Sequence, residues 1–185
     1  MRQHGFSLIE LLMGLTIVGI VLHLVSPAFA AVTESNLREQ AAQSLYSDIR
    51  TARTEAIARH QSVMIHSING DWGQGWRIIL DISGKGHKDP GNPLLVERQS
   101  ATPMPIVGNR PVSQFVRFSH LGEPQFAQGE FQAGTLHVCA AREAVSQYQV
   151  VLAPSGRVSL RSAKAEQALC AEGKTLKAGS GRAAL

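Results

Sequence analysis

Cysteine is scarce in this chain of 185 residues: there are two, Cys139 and Cys170. Neither belongs to a C-x-x-C pair, which removes the usual zinc and thioredoxin-like readings. Catalytic signatures are missing too. Seven histidines are present, yet no H-E-x-x-H occurs. G-x-S-x-G and S-x-x-K are also absent. The loop SGKGHKDPGNP, residues 83–93, lacks the residue order of a phosphate-binding loop. Asp81 before it and Asp89 within it are too few for calcium, which takes about six or more oxygen ligands. No internal repeat is visible. The chain is therefore expected to be no enzyme and to need no cofactor and no metal, and His23, His66 and His137 read as structural. Disorder is excluded as well, because 44% hydrophobic and 17% charged residues suit a folded domain.

Charge is missing from one stretch and concentrated in another. Residues 11–32 are 22 positions without a formal charge, enough for a helix of about 20 residues to span a bilayer. The net charge of +4 is carried late: from Cys139 onward there are seven basic residues (Arg142, Arg157, Arg161, Lys164, Lys174, Lys177, Arg182) and three acidic ones (Glu143, Glu166, Glu172). Such a region either meets phosphate or anionic lipid, or is simply a solvated surface. The cysteines lie beyond the apolar run, where an even pair suits a disulfide in an oxidising compartment. A bridge closing over the 30 residues between them stabilises by roughly 3–4 kcal/mol on the chain-entropy model. Two buried thiols are the alternative.

Three readings compete for the N-terminus. A secretory signal peptide would use Arg2 and the A-x-A site Ala28-Phe29-Ala30. A plain anchor would keep the apolar run. A prepilin-type signal would be cut between Gly5 and Phe6 and keep the helix. Glu10 distinguishes them. An ionised carboxylate within a bilayer costs a few kcal/mol or more and marks a function and a partner. Cutting after Gly5 makes Phe6 an amine in the same layer, one helical turn from Glu10, which can pair with its own amine or a neighbour's.

Glycine and proline are absent from residues 28–69. Leu37, Ala41, Leu45, Ile49, Ala52 and Ala56 recur at helical spacing, while Arg38, Glu39, Asp48, Arg50, Arg53 and Arg59 mostly fall off that stripe. One helix over residues 6–60 follows, on the order of 80 Å long. Beyond it the pattern shortens. Residues 63–68, 76–81, 94–97, 115–119, 135–139, 148–152 and 157–161 are strand candidates, about seven in all. Asn69-Gly70 and Pro154-Ser155-Gly156 are hairpin turns. The expected fold class is α+β, with one long N-terminal helix covering one face of an antiparallel sheet. Trp72 and Trp76 are expected to pack rather than bind a ligand.

The stretch Gly5-Phe6-Ser7-Leu8-Ile9-Glu10, after a four-residue leader and before the uncharged run containing Pro27, resembles the N-terminus of type IV pilins and type II secretion pseudopilins. Asp71-Trp72-Gly73-Gln74-Gly75-Trp76 followed by Asp81 is similar to a signature of the GspH/FimT family. The Ser155-Gly156-Arg157 turn and the late cysteine pair resemble its FimU/FimT minor-pilin branch. The resemblance is weak over residues 90–134.

It implies a pilin-like fold. Residues 1–5 would be a prepilin leader and residues 6–32 the membrane-spanning and filament-core half of the helix. Residues 33–60 would be its amphipathic half, residues 61–173 the β-rich domain and residues 174–185 a disordered tail. A prepilin peptidase would cut after Gly5 and methylate Phe6, and Glu10 would guide docking into a filament. Implied partners are other minor and major pilins, the peptidase, the inner-membrane assembly platform and inner-membrane lipid. The implied location is the inner membrane of a Gram-negative bacterium, with a periplasmic domain, and then a pilus or pseudopilus.

The expected function is a minor pilin that primes pilus assembly in a tip complex, supporting motility, adhesion or DNA uptake. A type II secretion pseudopilin is the alternative. A third reading makes DNA the partner, since some FimT-type minor pilins bind it through a basic G-R-x-R element. The matching stretch here is Gly156-Arg157-Val158-Ser159-Leu160-Arg161, with Ser159 where the second arginine belongs. Arg157 and Arg161, four apart in an expected strand, would share one face, and Lys164 would add a third charge.

Overall fold

The computed structural model describes residues 8–100, 102–141 and 143–171; within its helix, the side chains of residues 24–28 and 30 are outside the description. The expected cleavage site at Gly5 and Phe6 and the expected tail at residues 174–185 lie outside the described residues. The chain divides into two units, Met1–Leu37 and Arg38–Leu185.

Helix α1, Leu8–Arg59, begins in the first unit and ends in the second. In the first unit the described apolar side chains of residues 8–22 are exposed on every side of the helix. Leu8, Ile9, Leu11, Leu12, Met13, Leu15 and the larger side chains through Leu22 are all at least 47% exposed. Thr16 satisfies its hydroxyl within the helix, donating to the Met13 carbonyl at 2.8 Å. Among the described residues no helix is long and apolar enough to cross a membrane. The uncharged stretch 11–32 includes six residues whose side chains are not described.

In the second unit the helix becomes amphipathic, but its buried face is displaced from the expected stripe. Ala42, Leu45, Ile49, Ala52 and Ala56 are fully buried, whereas Leu37 is exposed and Ala41 half-buried. Asp48, expected off the stripe, lies on the buried face. Each large apolar side chain so covered contributes about 1.5–3 kcal/mol. The helix ends on His60, whose φ of 52° is left-handed. The Gln61 amide then donates to the Ala56 carbonyl at 3.2 Å, closing the last turn as a C-terminal cap.

Among the described residues nine strands follow: β1 Val63–Ile68, β2 Asp71–Leu80, β3 Leu94–Gln99, β4 Ile106–Gly108, β5 Phe115–Phe118, β6 Gly134–Cys139, β7 Val145–Leu152, β8 Val158–Arg161 and β9 Ala165–Glu166. Two differences from the sequence reading matter. The strands form two antiparallel sheets rather than one, ordered β3-β2-β1-β5 and β4-β6-β7-β8, with β9 also on β7. Strand β2 also starts at Asp71 rather than Trp76, so the whole tryptophan signature is strand. The short β4 and β9 carry too few residues to show an alternation.

The β1–β2 hairpin closes as expected on Asn69 and Gly70, both at positive φ. Ile65 and Ile78 from the first sheet and Leu136, Val138 and Val150 from the second join the buried helix face in one core. Cys139 and Cys170 form a disulfide, with Cα atoms 5.6 Å apart, that ties the segment after β9 to the end of β6.

Candidate functional site

Two regions carry the residues singled out by the sequence. The first is the start of α1. Glu10 sits in the first helical turn, exposed, where a carboxylate also complements the partial positive charge of a helix N-terminus. It is the only formally charged residue among residues 8–32. A helix that is apolar on all sides requires burial by lipid or by other chains. A single carboxylate within that surface is a specific polar contact for whatever buries it.

The second region is basic. The β7–β8 hairpin turns at Pro154-Ser155-Gly156, and Ala153 donates to the Arg157 carbonyl at 2.9 Å to close it. Arg157 therefore precedes β8 rather than lying within it, as the expected strand had it. Arg161 ends β8 opposite Gln149, and Lys164 lies between β8 and β9. All three are exposed. Only Arg157 lines the cleft of about 380 Å³ that opens between α1 and the hairpin. Its companions there are Arg50 and Arg53 of the helix. Sequence reasoning placed those two off the apolar stripe, but nothing in their spacing says which loop they will face. Of Arg157, Arg161 and Lys164, only Arg157 lines this cleft, where it joins two residues some 100 positions earlier.

The remaining candidates are structural. Trp72 is 1% exposed, and its Nε1 donates to the carbonyls of Val112 and Ser113 at 3.2 and 2.9 Å. Trp76 donates to Asp48 Oδ2 at 2.8 Å, and the Arg98 Nε donates to the same oxygen at 3.2 Å. Asp48 is on the buried face because it satisfies the Trp76 indole there.

Asp81 is buried. Its Oδ2 accepts from Arg117 Nε at 2.7 Å, and its Oδ1 accepts from the Gly86 amide at 2.9 Å and from Asn92 Nδ2 at 3.3 Å. These bonds organise the loop that the sequence weighed for calcium. Asp89, exposed on that loop, has its carboxyl held below the usual value by the Gly91 amide, with the Ser83 hydroxyl adding to this.

His137 is enclosed by a complete hydrogen-bond network. Its Nδ1 lies 3.0 Å from Ser146 Oγ and its Nε2 3.2 Å from the Gln167 amide nitrogen. Burial lowers its pKa. His66 is lowered mainly by burial, with smaller contributions from His87 and Arg77, while its bond with the Ser67 carbonyl opposes the shift.

An N-terminal helix packed through its C-terminal half on antiparallel sheets, with a lone carboxylate at its apolar start, defines a pilin-like protein. The chain belongs to the GspH family of pilins and pseudopilins: the family model described as "Type II transport protein GspH" matches residues 41–156. The model described as "Prokaryotic N-terminal methylation motif" matches residues 1–26. The chain is similar to the pilin-like protein PilA1 of Thermus thermophilus, 33% identical over 91 residues, which are 49% of this chain and 56% of that protein. The match thus spans little more than half of that relative's length.

Crystal structures of the type IV minor pilin FimU of Pseudomonas aeruginosa share the fold. One gives a TM-score of 0.58 at 20% identity, covering 75% of this chain and 98% of that one. A second crystal form gives 0.56 at 19% identity, covering 71% and 98%.

Proposed function

We propose that the protein is a minor pilin that enters a type IV pilus from the inner membrane. It is cut after Gly5, methylated on Phe6 and buried in the filament through residues 6–32. The observation that carries this reading is the exposed, all-round apolar start of α1 with Glu10 as its one charge. The match of the methylation motif to residues 1–26 supports it. Glu10 pairs with a Phe6 amine, its own or that of a neighbouring subunit, so that neither charge is left alone in an apolar layer. The amphipathic half of the helix and the two sheets carry the contacts that select partner pilins.

Mass analysis of the mature N-terminus tests the processing step. A methylated Phe6 is expected, whereas a chain beginning at Ala31 would sink the proposal. Glu10→Ala is expected to be cleaved normally and yet to be recovered in sheared filaments at a small fraction of the wild-type amount. Equal recovery would refute the pairing.

The family description favours one further reading, a pseudopilin of a type II secretion system. Co-purification distinguishes the two: partners from the pilus apparatus support the first, and secretion pseudopilins the second.

A further inference from the structure

The cleft between α1 and the β7–β8 hairpin is built from like charges. Arg50, Arg53 and Arg157 line it, together with the hydroxyl-bearing Tyr46, Thr54 and Ser155. Among the described residues no Asp or Glu is part of its wall. Among the described residues none of these three guanidinium groups is in an ion pair. Elsewhere, by contrast, Arg59 pairs with Glu55, Arg77 with Glu97, Arg98 with Asp48 and Arg117 with Asp81. Three cations facing one concavity repel each other unless an anion joins them.

Two of the three are held in place. Arg53 Nε donates to the Gly122 carbonyl at 2.9 Å, leaving its outer nitrogens for another acceptor. Arg50 lies over the Tyr46 ring, 5.4 Å from its centroid, and one of its terminal nitrogens donates to the Tyr46 hydroxyl at 3.2 Å. The hairpin is fitted to this arrangement. Gly156 has a φ of +78°, and a Cβ there would lie 2.6 Å from the Gly122 carbonyl oxygen and 2.9 Å from Arg53 Nε. Helix, loop and hairpin turn therefore meet on one guanidinium. Fixed planar forks of this kind match a carboxylate bidentately, at little ordering cost.

We infer that this cleft binds a carboxylate, presented by an acidic side chain of a partner subunit. At about 380 Å³ it has room for an acidic side chain together with its neighbours in a partner segment, and Ile57 and Val158 supply apolar wall for the methylenes behind the charge. A nucleic-acid backbone requires instead a basic track along successive phosphates. The residues that would extend such a track, Arg161 and Lys164, do not line the cleft. The identity of the partner as a pilin subunit rests on the assembly reading above, while the carboxylate chemistry does not.

The test uses the full chain in detergent, titrated calorimetrically with four probes: a hexaglutamate peptide, a hexaglutamine peptide, inorganic phosphate and a short DNA duplex. Hexaglutamate should bind in a salt-sensitive manner, and hexaglutamine should not bind. Arg50→Gln and Arg157→Gln, both exposed and outside the core, should each weaken hexaglutamate about tenfold. Arg53→Lys should weaken it as well, because the charge is kept but the fork is lost. Arg161→Gln should leave it unchanged.

The inference is overturned if hexaglutamate does not bind, or if the Arg50→Gln/Arg157→Gln double variant binds it as wild type does. It is also overturned if phosphate or the duplex binds more tightly and loses that binding with the same substitutions. None of these titrations requires a filament, so failure of Phe6 processing or of Glu10-dependent assembly would leave their outcome standing.

Discussion

At the scale of single residues, the side chains that looked available for chemistry are mostly engaged in holding the fold. Asp81 illustrates this. A loop aspartate near glycines reads as a ligand candidate, yet both of its oxygens are taken by Arg117, Gly86 and Asn92. The pair with Arg117 is buried, at 0% and 11% side-chain exposure for Asp81 and Arg117. Removing one member leaves the other charge uncompensated. Asp81→Ala is therefore expected to lower stability by about 3–5 kcal/mol, measured as a shift in the urea unfolding midpoint. Trp72 and Trp76 were legible as packing residues from their type alone. Their acceptors, two loop carbonyls and Asp48, were not, because the residues concerned are about 30 to 40 positions away.

At the scale of elements, the helix and the first hairpin follow directly from the sequence. A run without glycine or proline from residue 28 to 69 leaves no local reason to stop until the chain reaches His60. The phase of the helix is less legible in the sequence. Alanines and leucines at steps of three and four allow two adjacent stripes, and only contact with two sheets selects the one through Ala42 and Leu45. The disulfide matters at this scale because the segment it secures has little else. Strand β9 is two exposed residues long and pairs β7 only at Val145 and Ser146. Replacing both cysteines by serine is expected to cost roughly 3–4 kcal/mol. Amide exchange should rise first over residues 165–171, while β1 and β2 stay protected. Uniform loss of protection would show that the bridge supports the whole domain.

At the scale of the molecule, a buried histidine, His137, and a half-buried one, His66, link stability to pH. Burial lowers the pKa of both His66 and His137 from the ordinary value of 6.5. In the folded state the Gln167 amide faces the Nε2 of His137, so a proton placed there meets a donor rather than an acceptor. The unfolded chain takes up protons more readily, so the stabilisation is complete above pH 6.5 and is lost as the pH falls through the lower folded values. The unfolding midpoint should be flat from pH 7 to 8 and fall below about 6.5, with a shallower fall in His137→Gln. An equal slope in that variant would remove His137 from the account.

The methylation motif and most of the element types are written in local sequence patterns. A cleavage motif, a lone carboxylate in an uncharged run, helical spacing and a two-residue turn are all local patterns, fixed by neighbours within a few positions. Tertiary structure decided what is not local: that the strands divide into two sheets, that Asp48 and Asp81 are buried partners, and that Cys139 meets Cys170. It also gathered Arg50, Arg53 and Arg157 around one cleft while leaving Arg161 and Lys164 outside it. Arginines on a solvent-facing helix surface carry no pattern that points to a distant hairpin. Their common site exists only once the hydrophobic face behind them has fixed where the helix lies on the sheets.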